Sequence, residues 1–386
     1  MSIKLKSKPV ILLFIDWYLP GYKAGGPITS CANLIAHLKD EFDFRVITRD
    51  TDYTETKPYP GIISNQWNTL PNGTHVYYFS EKELSYGRIK SLIQETKHDK
   101  IYLNGIYSRY FTIYPLLYAR GKSFENVIIA SRGMLAQSAI EVKRKKKKAF
   151  LALSRGLGLF KSVIFHASTA SEKNDIEKEF GAGVKIRIAG NLGAMRHFSN
   201  NPFRRKERGD LRLISIARIA PEKNLHYALQ QLASVHDLSI TFDIYGPVYN
   251  KEYWESCLMM IKTLPKGVIV KYHGSIPHET VPEVLSKSHF LFMPTQGENF
   301  GHIILQAFSS GCPVIISDQT PWKDLEKQKY GWDISLSSPD EFVEALRKAC
   351  SLSQEEFNKL SEHVFRYASD FLQNPAAELE NRNLFR

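Results

Sequence analysis

Glu298 stands in Thr295-Gln296-Gly297-Glu298-Asn299-Phe300-Gly301, between two short apolar runs at 289–293 and 313–316. Gly297 and Gly301 let backbone come close to a ligand, and the helical pattern that follows directs N–H groups and a positive dipole end toward it. A phosphate or an electron-rich sugar oxygen suits that place. A carboxylate such as Glu298 fits there only if it serves another part of the same ligand, for instance a row of sugar hydroxyls. Gln306 follows eight residues later, roughly two helical turns along, where an amide could reach a second polyol such as a ribose. Arg218 and Lys223, five residues apart around Pro221, would make a diphosphate clamp, the guanidinium bidentate and the ammonium a point charge.

Weaker candidates lie earlier. Gly25 and Gly26 occupy a turn, Leu19-Pro20-Gly21-Tyr22-Lys23-Ala24-Gly25-Gly26-Pro27, between a first strand and a first helix. In α/β proteins phosphates approach such a turn, although Gly-Gly-Pro is also a common loop. Asn104-Gly105 and Ser131-Arg132-Gly133 each follow an apolar run, and open α/β sheets bind ligands at strand C-terminal ends. Asn104 can hydrogen-bond a hydroxyl, or can simply serve a turn. Arg132 can take a phosphate or an acceptor carboxylate, or can be a surface arginine. Six cations, Lys143, Arg144, Lys145, Lys146, Lys147 and Lys148, precede an apolar stretch. They read as a solvated helix face, a nucleic-acid contact or an anionic membrane surface. The last reading is favoured because no nucleic-acid module accompanies them and each cation near such a surface contributes about 1 kcal/mol.

These residues need strands and helices to hold them. Apolar runs at 10–15, 44–48, 75–79, 100–103, 127–130 and 163–166 alternate with helical patterns at 81–96 and 138–159. That is the rhythm of a parallel sheet covered on both faces. It restarts at 211–216, 240–245, 268–272, 290–293 and 314–316. The segment Thr51 to Thr74 reads as a long loop, and Asn200 to Asp210, polar and basic, as a linker. Ser168 or Ser171 is expected to cap a helix, with His166 in the core. Ser338-Pro339-Asp340-Glu341 reads as a capping-box start, and a last helix is expected from Gln354 to about Leu372.

Composition bounds the function. With 43% hydrophobic and 24% charged residues the chain reads as globular, and its formal charge of +11 favours an acidic ligand or surface. No apolar run reaches the 18 residues a membrane helix needs. Val10 to Ile15 after Lys4, Lys6 and Lys8 imitates a signal peptide, but Asp16 interrupts it, so a buried first strand is expected. Cys31, Cys257, Cys312 and Cys350 show no ligand spacing and read as buried thiols of a reducing compartment.

The stretch from Glu298 to Ile316 resembles the signature of retaining GT-B glycosyltransferases of family 4. In that signature Glu-x7-Glu brackets Phe-Gly and leads into Ala-x-x-x-Gly-x-Pro-Val-Ile. Glu298, Asn299, Phe300, Gly301, Ala307, Gly311 and Pro313 match, while Gln306 replaces the second glutamate. The resemblance implies two Rossmann-like domains facing a central cleft, with a C-terminal helix crossing back. The implied domains are 1–195 for the acceptor, 196–365 for the nucleotide-sugar donor, and a returning tail at 366–386. It implies that Glu298 faces the donor sugar, that Arg218 and Lys223 bind the diphosphate, and that Gly25 and Gly26 close over it. The amides of Asn299, Phe300 and Gly301 would hold sugar and phosphate, Gln306 the ribose, and Ile276 in His273-Gly274-Ser275-Ile276-Pro277 the base. Asn104 stands where the family commonly has a histidine close to the donor sugar. The expected reaction moves a sugar from a UDP- or GDP-type nucleotide diphosphate sugar to a glycan or polyprenyl-diphosphate-linked acceptor in surface-polysaccharide assembly. The protein would act in the cytoplasm, peripheral on the inner face of the membrane. No cofactor or metal is expected, because no Asp-x-Asp is read in the chain to hold one, and no nucleic acid. Because Gln306 and Asn104 both depart from the pattern, a catalytically weakened sugar-nucleotide binder stays open, as do a basic nucleic-acid-binding protein and a GT-B epimerase.

Overall fold

The computed structural model describes residues 7–120, 126–141, 143–195, 201 and 203–386. Lys4 and Lys6, and Asn200 and Pro202 of the linker, lie outside them. Packing divides the chain into two compact units, Met1–Leu192 with Pro375–Arg386, and Gly193–Asn374.

The first unit runs β1 (Val10–Phe14), α1 (Gly26–Leu38), β2 (Asp43–Arg49), β3 (Trp67–Thr69), β4 (His75–Phe79), α2 (Tyr86–Glu95), β5 (Lys100–Asn104), α3 (Tyr114–Ala119), β6 (Val127–Ala130), α4 (Gln137–Glu141), α5 (Arg144–Gly156), β7 (Ile164–Ala167), α6 (Ala170–Phe180) and β8 (Lys185–Ile188). The sheet order is β3-β4-β2-β1-β5-β6-β7-β8, parallel except for β3 on β4. β1 is apolar throughout because both of its faces are covered. Its alternate residues Ile11 and Leu13 pack with Leu34 and Leu38 of α1, while Leu12 and Phe14 pack with Ile89 and Ile93 of α2.

The second unit runs β9 (Asp210–Ile216), α7 (Leu225–Ala233), β10 (Ser239–Tyr245), α8 (Lys251–Ile261), β11 (Val268–Tyr272), α9 (Val281–Ser286), β12 (Phe290–Met293), α10 (His302–Ser309), β13 (Val314–Ser317), β14 (Gly331–Ile334), α11 (Pro339–Ser351) and α12 (Gln354–Gln373). Its order β11-β10-β9-β12-β13-β14 is that of a dinucleotide-binding doubly wound sheet, with the direction of winding reversing between β9 and β12. Leu211 and Leu213 of β9 pack under Leu229 of α7 and Phe342 of α11, and Ile214 packs under Ile304 and Phe308 of α10. A final helix, α13 (Pro375–Leu384), belongs to the first unit, where Leu384 joins the core on the α1 side.

Several local expectations are corrected. Thr51 to Thr74 is not all loop, because β3 forms an antiparallel edge within it. The helical patterns at 81–96 and 138–159 are each divided: a short 3-10 turn at Glu81–Glu83 precedes α2, and α4 and α5 are separate helices. Thr169 rather than Ser168 or Ser171 caps α6, accepting from Glu172 N, because the Ser168 hydroxyl donates to the Glu172 carboxylate instead. Ser338 makes no side-chain cap, whereas Ser353 and Glu356 form a reciprocal capping box at α12.

The basic linker is not solvated throughout. Arg204 and Lys206 are 4% and 2% exposed. The Arg204 guanidinium donates to the carbonyls of Ser310 and Gly311 just past α10, and Lys206 to those of Cys350 and Leu352 at the end of α11. Cations at helix C-termini satisfy orphan carbonyls and oppose the helix dipole. All four cysteines are buried free thiols.

Candidate active site

In open α/β sheets the ligand site lies beyond the strand C-termini where winding reverses. In the second unit that point is framed by the turn after β9, carrying Arg218 and Lys223, and the loop after β12, carrying Glu298. Gly246 lets the turn pass. Its φ is +141°, and a Cβ there would stand 1.9 Å from the Ala217 carbonyl oxygen. Pro221 opens a 3-10 turn, Pro221–Lys223, rather than α7 itself, and Asn224 then takes a left-handed conformation (φ 59°) before α7 begins. Asparagine tolerates that region where most residues do not, so Asn224 can make the turn without a glycine.

Turn and loop are stitched together. Asn224 Nδ2 donates to the Pro294 carbonyl at 2.9 Å, and Gln296 N to the Glu222 carbonyl at 2.9 Å. Across this seam Lys223 Nζ forms an ion pair with Glu298, their side chains 15% and 16% exposed. Arg218 lies over the Tyr249 ring at 4.8 Å and 3.6 Å from the Glu222 carboxylate. Both cations of the expected clamp therefore already face carboxylates.

Gly301 caps α10 in the left-handed region (φ 77°). Phe300 packs on Trp322, whose indole N–H donates to the Phe300 carbonyl at 2.6 Å, and Asn299 is half-buried beside it. Glu298 precedes the helix, so its eight-residue spacing to Gln306 is not two helical turns. Gln306 instead sits in the second turn of α10, with its Nε2 2.7 Å from Nε2 of His278. Burial holds the His278 imidazole below its ordinary pKa. Ile276 is half-buried against the core on the α10 side.

The first unit reverses between β1 and β5. Beyond β1 lies the glycine turn: Gly25 caps α1 with φ 75°, and Gly26 is the first helical residue. At the C-terminal end of β5 Asn104, only 4% exposed, accepts from Arg132 Nε at 2.7 Å. Arg132 is not the surface arginine of one reading. Its other nitrogens donate to Asn191 Oδ1 at 2.7 Å and the Tyr102 hydroxyl at 2.9 Å. Tyr102 in turn meets His166 Nδ1 at 2.8 Å, and His166 Nε2 meets the Ala189 carbonyl at 2.9 Å. A carbonyl only accepts, so the proton is on Nε2 and Tyr102 donates to Nδ1. His166 is core, with burial foremost pulling its pKa down to about 4.

Residues 199–367 match the family model for glycosyl transferases group 1. The serotype-specific mannosyltransferase WbdA of Escherichia coli is 26% identical over 102 residues, 25% of this chain. That stretch is 12% of WbdA, so the likeness spans about an eighth of that relative's length. The residues matched by the family model fall in the second unit. Among solved structures, HepE of Anabaena with UDP-glucose is 13% identical over 97% of this chain and 98% of its own, at a TM-score of 0.70. WaaG, a glycosyltransferase of lipopolysaccharide biosynthesis, is 13% identical over 97% and 99%, at 0.67. These likenesses establish the fold, which is GT-B.

Two groups in the first unit have roles that sequence reasoning missed. The chain does contain an Asp-x-Asp triplet, Asp50-Thr51-Asp52. Both carboxylates are buried: Asp50 accepts from the Ser64 hydroxyl, and Asp52 from the backbone N–H groups of Tyr22, Lys23 and Tyr53. Asp52 thus fixes the glycine turn. No cluster of three or more metal-ligating side chains occurs among the described residues. Glu172 is likewise 3% exposed and accepts from Ser131 Oγ, Gly133 N, Ser168 N and Ser168 Oγ. Burial raises its pKa, but these four bonds outweigh that and hold it below the usual value. It fixes the turn that carries Arg132. An acid in the first turn of a helix was the available signal.

Proposed function

We propose that the chain is a retaining glycosyltransferase of family 4 type. It transfers a hexose-type sugar from a UDP- or GDP-type nucleotide diphosphate sugar to a glycan or polyprenyl-diphosphate-linked acceptor in surface-polysaccharide assembly. The observation that carries this is the meeting of Arg218, Lys223 and Glu298 at the reversal point of a doubly wound sheet. UDP-glucose in HepE and the lipopolysaccharide role of WaaG support the donor and pathway classes.

In this reading Arg218, Lys223 and the amides near Gly25 and Gly301 stabilise the departing diphosphate electrostatically, without a metal. Lys223 carries three N–H donors and can keep one on Glu298 while turning others to phosphate. Glu298 orients the sugar and favours positive charge developing at its anomeric carbon. Asn104 is assigned a contact to the donor sugar. Asn299, Phe300, Gly301, Gln306 and Ile276 hold the rest of the donor.

The cations at 143–148 seat the enzyme on the inner face of an anionic membrane. α5 opens with Arg144 and Lys145–Lys148 and has no acid in its first turn, although cations oppose the dipole at that end. Leu153 and Leu157, one turn apart, are 63% and 52% exposed beside them. No helix among the described residues is long and apolar enough to cross a membrane.

Thermal unfolding with UDP, GDP, ADP and TDP, with and without magnesium, tests the donor class. One nucleotide is expected to add about 2.7 kcal/mol at a hundred times its dissociation constant, independently of magnesium, and to lose that effect in Arg218→Ala. No shift from any of them overturns the reading. NMR of the product's anomeric centre then tests retention.

A further inference from the structure

Gln306 carries an amide where the resembling pattern carries its second carboxylate. Its Nε2 lies 2.7 Å from Nε2 of His278, in the 3-10 turn His278–Thr280 that follows the Gly274–Pro277 turn. An amide nitrogen only donates, so the imidazole nitrogen accepts, which requires a neutral ring protonated on Nδ1. Burial favours that neutral form, and the nearby Glu279 carboxylate does not overcome it. With its nitrogen engaged, the amide plane is fixed and Oε1 is directed away from His278. Gln306 Oε1 has no hydrogen-bond partner among the described residues, and it is not one of the buried atoms left without one. It is therefore an oriented acceptor open to a ligand.

We infer that His278 is a positioning residue which fixes Gln306 as a one-sided acceptor for a ribose hydroxyl. This rests on the proposed donor reading, which puts the nucleotide ribose at Gln306. The pair does with a neutral, oriented oxygen what a glutamate does with charge, and it adds no negative charge beside a ligand that brings a diphosphate. Discrimination of ribose from deoxyribose is the function it supplies. It also accounts for Gln306 without invoking decay of the site.

The test is isothermal titration of UDP and GDP, each with its 2′-deoxy and 3′-deoxy counterparts, against wild type, His278→Ala, His278→Asn, Gln306→Ala and the double alanine variant. Wild type is expected to prefer ribose over one of the two deoxy forms roughly tenfold, the value of one hydrogen bond. His278→Ala should cut that preference to about threefold or less, and His278→Asn, whose Oδ1 can still accept the amide N–H, should restore most of it. The double variant should match Gln306→Ala alone. A merely structural role for His278 would weaken both forms equally and leave the ratio unchanged, which overturns the inference. So does a wild type that binds nucleotide without any ribose preference. Absence of all nucleotide binding brings down the donor reading itself, and this inference with it.

Discussion

The two units place their candidate residues at the same topological position and give it opposite chemistry. At the reversal point of the second unit stands an ionic pair, Lys223 with Glu298, with Arg218 beside it. At that of the first stands an amide, Asn104, whose oxygen is occupied by Arg132 at 2.7 Å. Arg132 is the mirror image of His278: one takes the amide oxygen and leaves an N–H₂ to act, the other takes the amide nitrogen and leaves an oxygen. In the proposed reading, charge concentrates where the diphosphate is held, and fixed neutral dipoles stand where sugar hydroxyls are read. One sheet topology thus supplies a place, and the neighbours of each side chain decide what that place can bind.

The largest effect expected from breaking this contrast is at Lys223. Lys223→Ala should lower kcat/KM for the donor about 10²–10³-fold, the usual cost of removing one preorganised charge donor, while the unfolding free energy falls by no more than about 1 kcal/mol. Arg132→Met should do the reverse. It strips donors from Asn104, Asn191 and Tyr102 and should cost about 2–4 kcal/mol of stability, read by urea unfolding. If Lys223→Ala instead unfolds the protein with nucleotide affinity intact, the ionic pair is structural and the contrast fails.

Much of this was legible in the chain. Short apolar runs bounded by small residues gave both sheets, because a parallel strand covered on both faces has to be apolar throughout. Arg218, Lys223 and Glu298 each stood out as chemistry beside a strand end, and the family resemblance is what grouped them into one site. What stayed hidden depends on partners brought together only by packing. His278 lies 28 residues before Gln306, and Glu172 lies 41 after Ser131. Arg204 and Lys206 look like any solvated linker until the ends of α10 and α11 arrive to be capped. The capping box expected at Ser338 forms at Ser353 instead, since both serines precede an acid and only local backbone geometry chooses between them.

Each unit also buries a neutral histidine, and acid should find both. Burial leads in lowering His166 to about 4 in the first unit and His289 to about 3 in the second. Around His289 the cations Arg212, Lys206 and Arg204 add to the effect, and the Arg205 carbonyl opposes it. Unfolded histidine titrates near 6.5, so below that the unfolded chain binds protons which the folded chain refuses. The stability is full above about pH 6.5 and is lost as pH falls toward each folded value. From pH 7 to pH 5 each histidine should cost about 2 kcal/mol, seen as a falling urea midpoint. His166→Gln should flatten the slope of the first unit only, and a variant at His289 that of the second.

The smallest effect separates the two backbones. Both units turn their chain through the left-handed region beside the site, the first with Gly25 at φ 75° and the second with Asn224 at φ 59°. A Cβ on Gly25 would meet no atom within 4 Å, so Gly25→Ala should cost only the conformational term, about 1–2 kcal/mol. Asn224→Gly relieves conformation but gives up the 2.9 Å bond to Pro294 that ties the Lys223 turn to the Glu298 loop. Its net cost in stability should stay under about 1 kcal/mol, while nucleotide affinity falls because Lys223 and Glu298 are held less firmly together. A Gly25→Ala variant of full stability would mean that the first turn is free to leave the left-handed region. An Asn224→Gly variant of unchanged affinity would mean that the ion pair aligns itself without the seam.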